Sequence, residues 1–268
     1  MLGNTRHIPL KTALEIYRIR KTSRIIENLF RELKPNIKPG ITTKEINTFC
    51  ENFFHLHGVT SAQKGYRGFP ASVCVSPNHI ATHGVPNTSP LQEGDIFTLD
   101  VTLQAEGWHS DAAWTFSVGK PSPSALYLIQ CAWKTTLAGV RAAKAGNRLG
   151  DVGAAIQRAA SRQGCAILED FAGHGIGQNF HEEPIVANTG TKGVGQPLVP
   201  GMVFTIEPIV CMGEGTVKTL EDGWTVVTKD GSLTAQFEHT VAIFSDHTEV
   251  LTWSEGSLEK YPNLPPFY

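Results

Sequence analysis

The sequence predicts a mixed helix-and-hairpin domain made of two fused, pseudo-symmetric halves. Three observations carry that expectation. Gly94-Asp95-Ile96-Phe97-Thr98-Leu99-Asp100 resembles Gly201-Met202-Val203-Phe204-Thr205-Ile206-Glu207 at an offset of 107 residues. Upstream, Lys38-Pro39-Gly40 followed by Glu45-Ile46 resembles Lys144-Ala145-Gly146 followed by Asp151-Val152 at an offset of 106. In each half, two helical patterns are associated with strand and hairpin patterns. A period this long is not that of a solenoid. The expected organisation is therefore one duplicated domain with halves at about 10–120 and 121–252 and a C-terminal tail at 253–268. Each half would contain a strand carrying a carboxylate, and the pseudo-two-fold relation would bring the two acidic strands together at the centre.

The elements follow in order. Residues 10–34 read as a helix, because Leu14, Ile25, Ile26, Leu29, Phe30 and Leu33 recur at helical spacing and Pro35 ends the run. A second helix starts after Thr42-Thr43, with Glu45 in its first turn and Ile46, Phe49 and Phe53 on one face. Residues 59–92 are rich in Gly, Pro, Ser and His and read as loops and short strands, where sites commonly sit. Residues 95–118 read as a hairpin, 123–145 and 149–163 as helices, and 165–252 as short strands broken by Gly and Pro. The tail SEGSLEKYPNLPPFY reads as an extended or docked end.

Composition narrows the class. Of 268 residues only 18% are charged and the net charge is −2, which excludes a disordered chain and a dedicated nucleic-acid binder. No apolar run approaches the ~18 residues of a membrane span. The first residues lack the apolar core of a secretory signal. The five cysteines are scattered and free of C-x-x-C spacing, so they read as small buried hydrophobes in a reducing, cytoplasmic setting.

The acidic strands carry the chemistry. Asp100 lies in IFTLDVTL and Asp111 in HSDAAWTFSV, with Gln104-Ala105-Glu106-Gly107 as the turn between them. A hairpin symmetric about that turn pairs residue i with 211 − i and sets Asp100 directly opposite Asp111. Like charges so placed are destabilising, and a shared proton or a bound cation would offset the repulsion. In the second half, Asp222-Gly223 is a strong turn signal. Pairing of i with 445 − i about it sets Glu207 opposite Glu238. Four clustered carboxylates without matching Arg or Lys point to a pair of divalent cations about 3.5–4 Å apart. One imidazole in the set would shift the preference towards Mn²⁺, Fe²⁺, Co²⁺ or Zn²⁺.

Two histidine contexts stand out among ten. His174 lies in Ala172-Gly173-His174-Gly175-Ile176-Gly177, where glycines let other backbone approach closely, and His181 follows in Phe180-His181-Glu182-Glu183-Pro184. Thr82-His83-Gly84-Val85-Pro86 has a similar layout in the first half. His7, His55, His57 and His247 read as surface residues. Strand alternation is expected to turn His109 and His239 to the face away from the carboxylates.

These residues resemble a known family. Asp100 and Asp111 with ten residues between, GHGIG at 173–177, FHEEP at 180–184, FTIEP at 204–208, DGWTV at 222–226 and QFEHT at 236–240 are similar to the motifs of type I methionine aminopeptidases of the short bacterial kind, in the M24 pita-bread family. The similarity covers roughly residues 8–252. It implies an α+β pita-bread fold, with a central antiparallel sheet and flanking helices. It also implies removal of initiator methionine from nascent proteins whose next residue is small. Such an enzyme would be a cytoplasmic monomer working near the ribosome, with no direct nucleic-acid specificity and no membrane.

The resemblance makes Asp100, Asp111, His174, Glu207 and Glu238 the ligands of two divalent ions (Co, Mn, Fe or Zn), with Asp111 and Glu238 touching both. Asp100 would chelate one ion, while His174 and Glu207 serve the other. His83 would contact the scissile amide nitrogen, His181 the carbonyl oxygen, and Glu207 would also carry a proton. Tyr66, Phe69, Cys74, Phe180 and Trp224 would line the methionine pocket. Gln63 stands on its wall, where bacterial members often have a smaller residue. A monovalent cation beside Asn78, Ile80 and Thr234 is a further implication. The rival readings are an Xaa-Pro-type aminopeptidase of the same fold and a non-catalytic peptide-binding module.

Overall fold

The computed structural model describes residues 7–255 and 258–265, with the side chain of Glu259 excepted. The first half contains helices α1 (Ala13–Leu33) and α2 (Thr43–His57), short strands β1 (Thr60–Ser61), β2 (Cys74–Pro77) and β3 (Ile80–Thr82), and the long hairpin β4 (Ile96–Ala105) and β5 (Trp108–Ser117). The second contains α3 (Pro123–Ala142) and α4 (Leu149–Arg162), then β6 (Ala166–Ile167), β7 (Ala172–Gly175), β8 (Glu182–Ala187), β9 (Val203–Ile206) and β10 (Ile209–Cys211). It continues through β11 (Val217–Thr219), β12 (Val226–Thr228), β13 (Thr234–Gln236), β14 (His239–Ile243) and β15 (Thr248–Val250).

Local chemistry sets the helix ends. Thr12 with Glu15 and Thr42 with Glu45 form reciprocal capping boxes at the starts of α1 and α2. Helix α2 stops at Gly58, whose φ of 63° suits a residue without a side chain. Ser122 caps α3, and Pro123 takes its first turn, where no amide hydrogen is missed. One expectation is corrected: Leu14 points to solvent, because the buried stripe of α1 runs through Ile16, Ile19, Ile26, Leu29, Phe30 and Leu33 instead.

The helices cover one face of the strands. Helix α1 lies on β4 and β5, and α3 on β10 and β13. Leu99, Val101 and Leu103 of β4 and Ala112, Trp114 and Phe116 of β5 alternate onto that face. There they pack with Phe30, Trp133 and Phe237; Trp114 lies 6.0 Å from Phe30 and 5.6 Å from Phe237, ring centroid to centroid. The described part of the tail packs on the same core: Trp133 Nε1 donates to Tyr261 O at 2.5 Å, and Leu258 is buried.

The opposite face carries the acids, and here the first hairpin departs from expectation. Asp100 pairs with Ala113 and Asp111 with Thr102, so residue i pairs with 213 − i. The turn is the two-residue Glu106-Gly107, both with positive φ (51° and 81°), as the mirror-image turn favoured by strand twist demands. Asp100 and Asp111 are therefore diagonal neighbours on one face and not directly opposed. The second register agrees with expectation. Pairing of i with 445 − i holds from Val203–Ala242 through Cys211–Thr234 to Thr219–Val226, and Glu207 and Glu238 fall at the matching break between these strands.

The two halves join at the centre. Trp114 bridges Phe237, Glu238 N donates to Ala113 O at 2.8 Å, and the Thr240 hydroxyl donates to Asp111 O at 2.7 Å. Cys74, Asp100, Ala113, Glu238 and Glu207 thus form one row across five strand segments. Ala113, wholly buried, is the small residue in the middle. Ala113→Val is expected to crowd that row and lower the unfolding free energy by ~1–3 kcal/mol, the usual cost of overpacking, read from urea denaturation midpoints. A wild-type midpoint would contradict this placement.

Candidate metal centre

All thirteen residues expected at the site line a single cavity of about 320 Å³. They arrive from several local devices. Asp100 and Asp111 come from the first hairpin, and Glu207 and Glu238 from the strand breaks of the second half. His174 lies on β7, whose glycines allow two close approaches: a Cβ at Gly173 would lie 2.4 Å from Thr205 O, and one at Gly175 only 2.1 Å from Glu183 O. The chain between β7 and β8 folds Phe180 and His181 back over His174, with ring centroids 5.9 and 4.1 Å away. His83 is held at φ 53°, a left-handed conformation rare outside glycine and common where a side chain is re-aimed for function.

The candidate donor atoms converge. One donor atom each from Asp111, His174 and Glu238 lies within 4.8 Å of the others, and all three residues are buried. His174 Nε2 is 3.7 Å from Asp111 Oδ2 and 3.8 Å from Glu207 Oε1. Its Nδ1 lies 2.9 Å from Gly175 O, which can only accept, so Nδ1 carries the proton and the Nε2 lone pair faces the carboxylates. The Thr205 hydroxyl donates to Glu207 Oε1 at 2.6 Å and accepts from His174 N at 3.0 Å, fixing both. Asp111 Oδ1 and Glu238 Oε1 are buried with no hydrogen-bond partner. An array of acceptors with orphaned oxygens at its centre fits divalent cations, and four carboxylates with one imidazole are a donor set of suitable chemistry.

Electrostatics agree with the geometry. Burial pushes Asp100 up to about 7 and Glu207 up to about 8. Burial and the neighbouring carboxylates push Asp111 and Glu238 well above the ordinary range. The histidines move the other way: burial lowers His174 to about 4 and His83 below its usual value. Burial, with His174 and Arg67 nearby, lowers His181 to about 3. At neutral pH the cavity therefore presents neutral imidazoles.

Aromatic rings form much of the remaining wall. Tyr66 lies 4.8 Å from Phe180 and stacks on His181 at 5.3 Å, while Phe69 meets Trp224 edge-on at 5.2 Å. Cys74 is buried beside them, and Gln63 closes the wall against Asp100. Thr205 and Phe171 were not among the expected site residues. Thr205 was legible, since it lies two residues before Glu207 on the same strand face; Phe171, whose ring is 6.1 Å from His83, had no local signal. One expectation is wrong. His109 shares parity with Asp111 and so faces the site, stacking on Phe180 and bonding Gly177 O through Nδ1 at 3.1 Å. His239 does lie on the other face, against Trp114 and Trp133. The four surface histidines are exposed as expected.

Comparison with known proteins accords with this geometry. The chain is 44% identical over 255 residues to methionine aminopeptidase A of Synechocystis, covering 95% of this chain and all of that one. The crystal structure of methionine aminopeptidase from Rickettsia prowazekii superposes with a TM-score of 0.91 at 37% identity, covering 92% of this chain and all of that one. The Xaa-Pro dipeptidase of Bacillus anthracis is more distant, with a TM-score of 0.73, 25% identity and only 63% of its chain covered. Residues 17–244 match the model of metallopeptidase family M24, and the chain belongs to that family.

Proposed function

We propose that this protein is a methionine aminopeptidase that removes the initiator methionine from peptides and nascent proteins whose second residue is small. One observation carries the reading: four carboxylates and an imidazole, with Asp111, His174 and Glu238 buried and their donor atoms within 4.8 Å of one another, share a cavity of about 320 Å³ with the aromatic rings of Tyr66, Phe69, Phe180 and Trp224. Asp100, Asp111, His174, Glu207 and Glu238 would hold two divalent ions, drawn from Co²⁺, Mn²⁺, Fe²⁺ and Zn²⁺. Such ions, when bound, supply Lewis-acid polarisation of the peptide carbonyl and a nucleophile at neutral pH.

The remaining work falls to the chain's own groups. The apolar faces of Tyr66, Phe69, Phe180 and Trp224, with Cys74, receive the thioether, which gains from sulfur–aromatic contact. Gln63 borders that pocket. His181, neutral at pH 7, donates its N–H to the scissile carbonyl oxygen, a contact worth about 2.7–4 kcal/mol in other acyl-transfer sites. His83 contacts the scissile amide nitrogen. Glu207, oriented by Thr205, takes up a proton and returns it to the leaving amine.

The proposal extends to a cytoplasmic monomer acting on N-termini emerging from the ribosome, without nucleic-acid specificity. Among the described residues, no helix is long and apolar enough to cross a membrane. A monovalent cation is proposed beside Asn78, Ile80 and Thr234, where the Thr234 hydroxyl, with one hydrogen, lies 3.0 and 2.9 Å from the Asn78 and Ile80 carbonyls.

Three outcomes are expected. Met-Ala-Ser is hydrolysed to free methionine with added Mn²⁺ or Co²⁺ while Ala-Pro is not; no methionine release with any divalent metal would refute the activity. Asp111→Asn abolishes turnover and loses bound metal, measured by elemental analysis after dialysis; near-normal turnover would contradict a dinuclear centre.

The third outcome concerns pH and the metal-free chain. Carboxylates with raised folded pKa values bind more protons folded than unfolded, so they make stability fall as pH rises from about 4 towards 8. The buried histidines, lowered in the fold, add stability as pH rises to about 6.5 and then stop contributing further. The two trends oppose each other below about pH 6.5, and only the carboxylates act above it. Melting temperature in EDTA should therefore fall between about pH 6.5 and 8, while the gain on adding Mn²⁺ grows with pH. A metal-free profile that rises across this interval would show that the acids are not buried together.

A further inference from the structure

Gln63 does more than border the cavity. Its Nε2 donates to Asp100 Oδ1 at 3.1 Å and lies 3.5 Å from Cys74 Sγ, so both amide hydrogens have acceptors. Swapping the amide's nitrogen and oxygen would set an acceptor against the carboxylate, so the orientation is fixed. The residue is 5% exposed. Its backbone is held on both sides: Gln63 N donates to Ser61 Oγ at 3.1 Å, Tyr66 N donates to Gln63 O at 2.9 Å, and Ala62 N ties the loop to Thr102 O of β4. Cys74 and Asp100 are direct cross-strand partners, so the amide straddles the outer end of the row that runs to Glu207.

Among the described residues, Gln63 is the side chain that donates to the Asp100 carboxylate, whereas Glu207 has Thr205. An oxygen accepting one hydrogen bond keeps a second lone pair, so the contact orients the carboxylate without blocking it.

We propose that Gln63 is a positioning residue for Asp100, and that it sets the affinity of the one divalent ion which Asp100 alone holds apart from the shared ligands. This inference rests on the dinuclear reading of the site. Donors behind a metal-ligating carboxylate commonly change metal affinity by about 10–100-fold.

The test is calorimetric titration of Mn²⁺ into the metal-free wild type and Gln63→Met, which preserves length and removes both donors. The wild type should bind two ions. In the variant one ion weakens by about 10–100-fold and the other stays within about threefold. Turnover falls further at limiting Mn²⁺ than at saturating Mn²⁺. An unchanged isotherm with a raised KM overturns the inference, because Gln63 would then only line the pocket. Equal weakening of both ions overturns it too, since that is general distortion. Gln63→Ala, which cannot overpack, supplies the same measurement if Gln63→Met does not fold. A wild type that binds no Mn²⁺ refutes the metal centre itself, and the inference with it.

Discussion

The structure is organised around a repulsion. Four carboxylates and the lone pair of His174 face one another in a single cavity, with Asp111, Glu238 and His174 buried and Asp100 and Glu207 at its partly open side. The effective cost of burying one unpaired charge is several kcal/mol, whereas a whole domain is stable by only about 5–15 kcal/mol. Four ionised, uncompensated acids would consume all of that. The chain must therefore carry protons or cations at its centre, and the raised pKa values of Asp100 and Glu207 are the metal-free form of that requirement. The aromatic layer on the other face of the same strands supplies the opposing stabilisation, since truncating one such buried ring typically costs about 3–5 kcal/mol. Acidic face and aromatic face are thus two sides of one alternation, from Asp100 beside Leu99 and Val101 to Ala113 beside Trp114.

The histidines belong to the same electrostatic scheme. Protonated imidazoles would compete with any cation that the carboxylates hold. Burial instead keeps His83, His174 and His181 neutral. A neutral imidazole is both a donor and an acceptor, and local bonds decide which end does what. The Gly175 carbonyl gives His174 a lone pair to offer to metal. Stacking on Tyr66 and Phe180 fixes the plane of His181.

Much of this was legible from residues, and the failures have physical causes. The second register was readable because the Asp222-Gly223 turn is central and the intervening glycines introduce no net slip. The first slipped by two because Glu106 accepts positive φ, so the tight turn sits one residue further on than a four-residue turn centred on Ala105-Glu106. A slip of two preserves the face, which is why Asp100 and Asp111 still meet while their pairing changed. His109 was misplaced by a parity error and not by any structural surprise. The four carboxylates could be found from the paired hairpins, but the pocket wall could not. Tyr66, Phe69, Phe180 and Trp224 come from separate connections whose meeting is a tertiary event, and only the family resemblance pointed to them.

The departure in the first hairpin also explains how a duplicated frame makes an unequal site. In the second half the acids oppose each other directly, Glu207 against Glu238. In the first half the position opposite Asp100 is Ala113, and the second acid is moved one diagonal step to Asp111. Had the halves been used identically, a carboxylate at position 113 would stand directly between Asp100 and Glu238. A methyl group stands there instead. Asp111, displaced towards Thr240, meets Glu238 across the seam between the halves, where His174 closes on both. The asymmetry thus keeps a carboxylate out of the middle of the row and puts acids on three sides of it, a geometry that a strictly repeated hairpin could not provide.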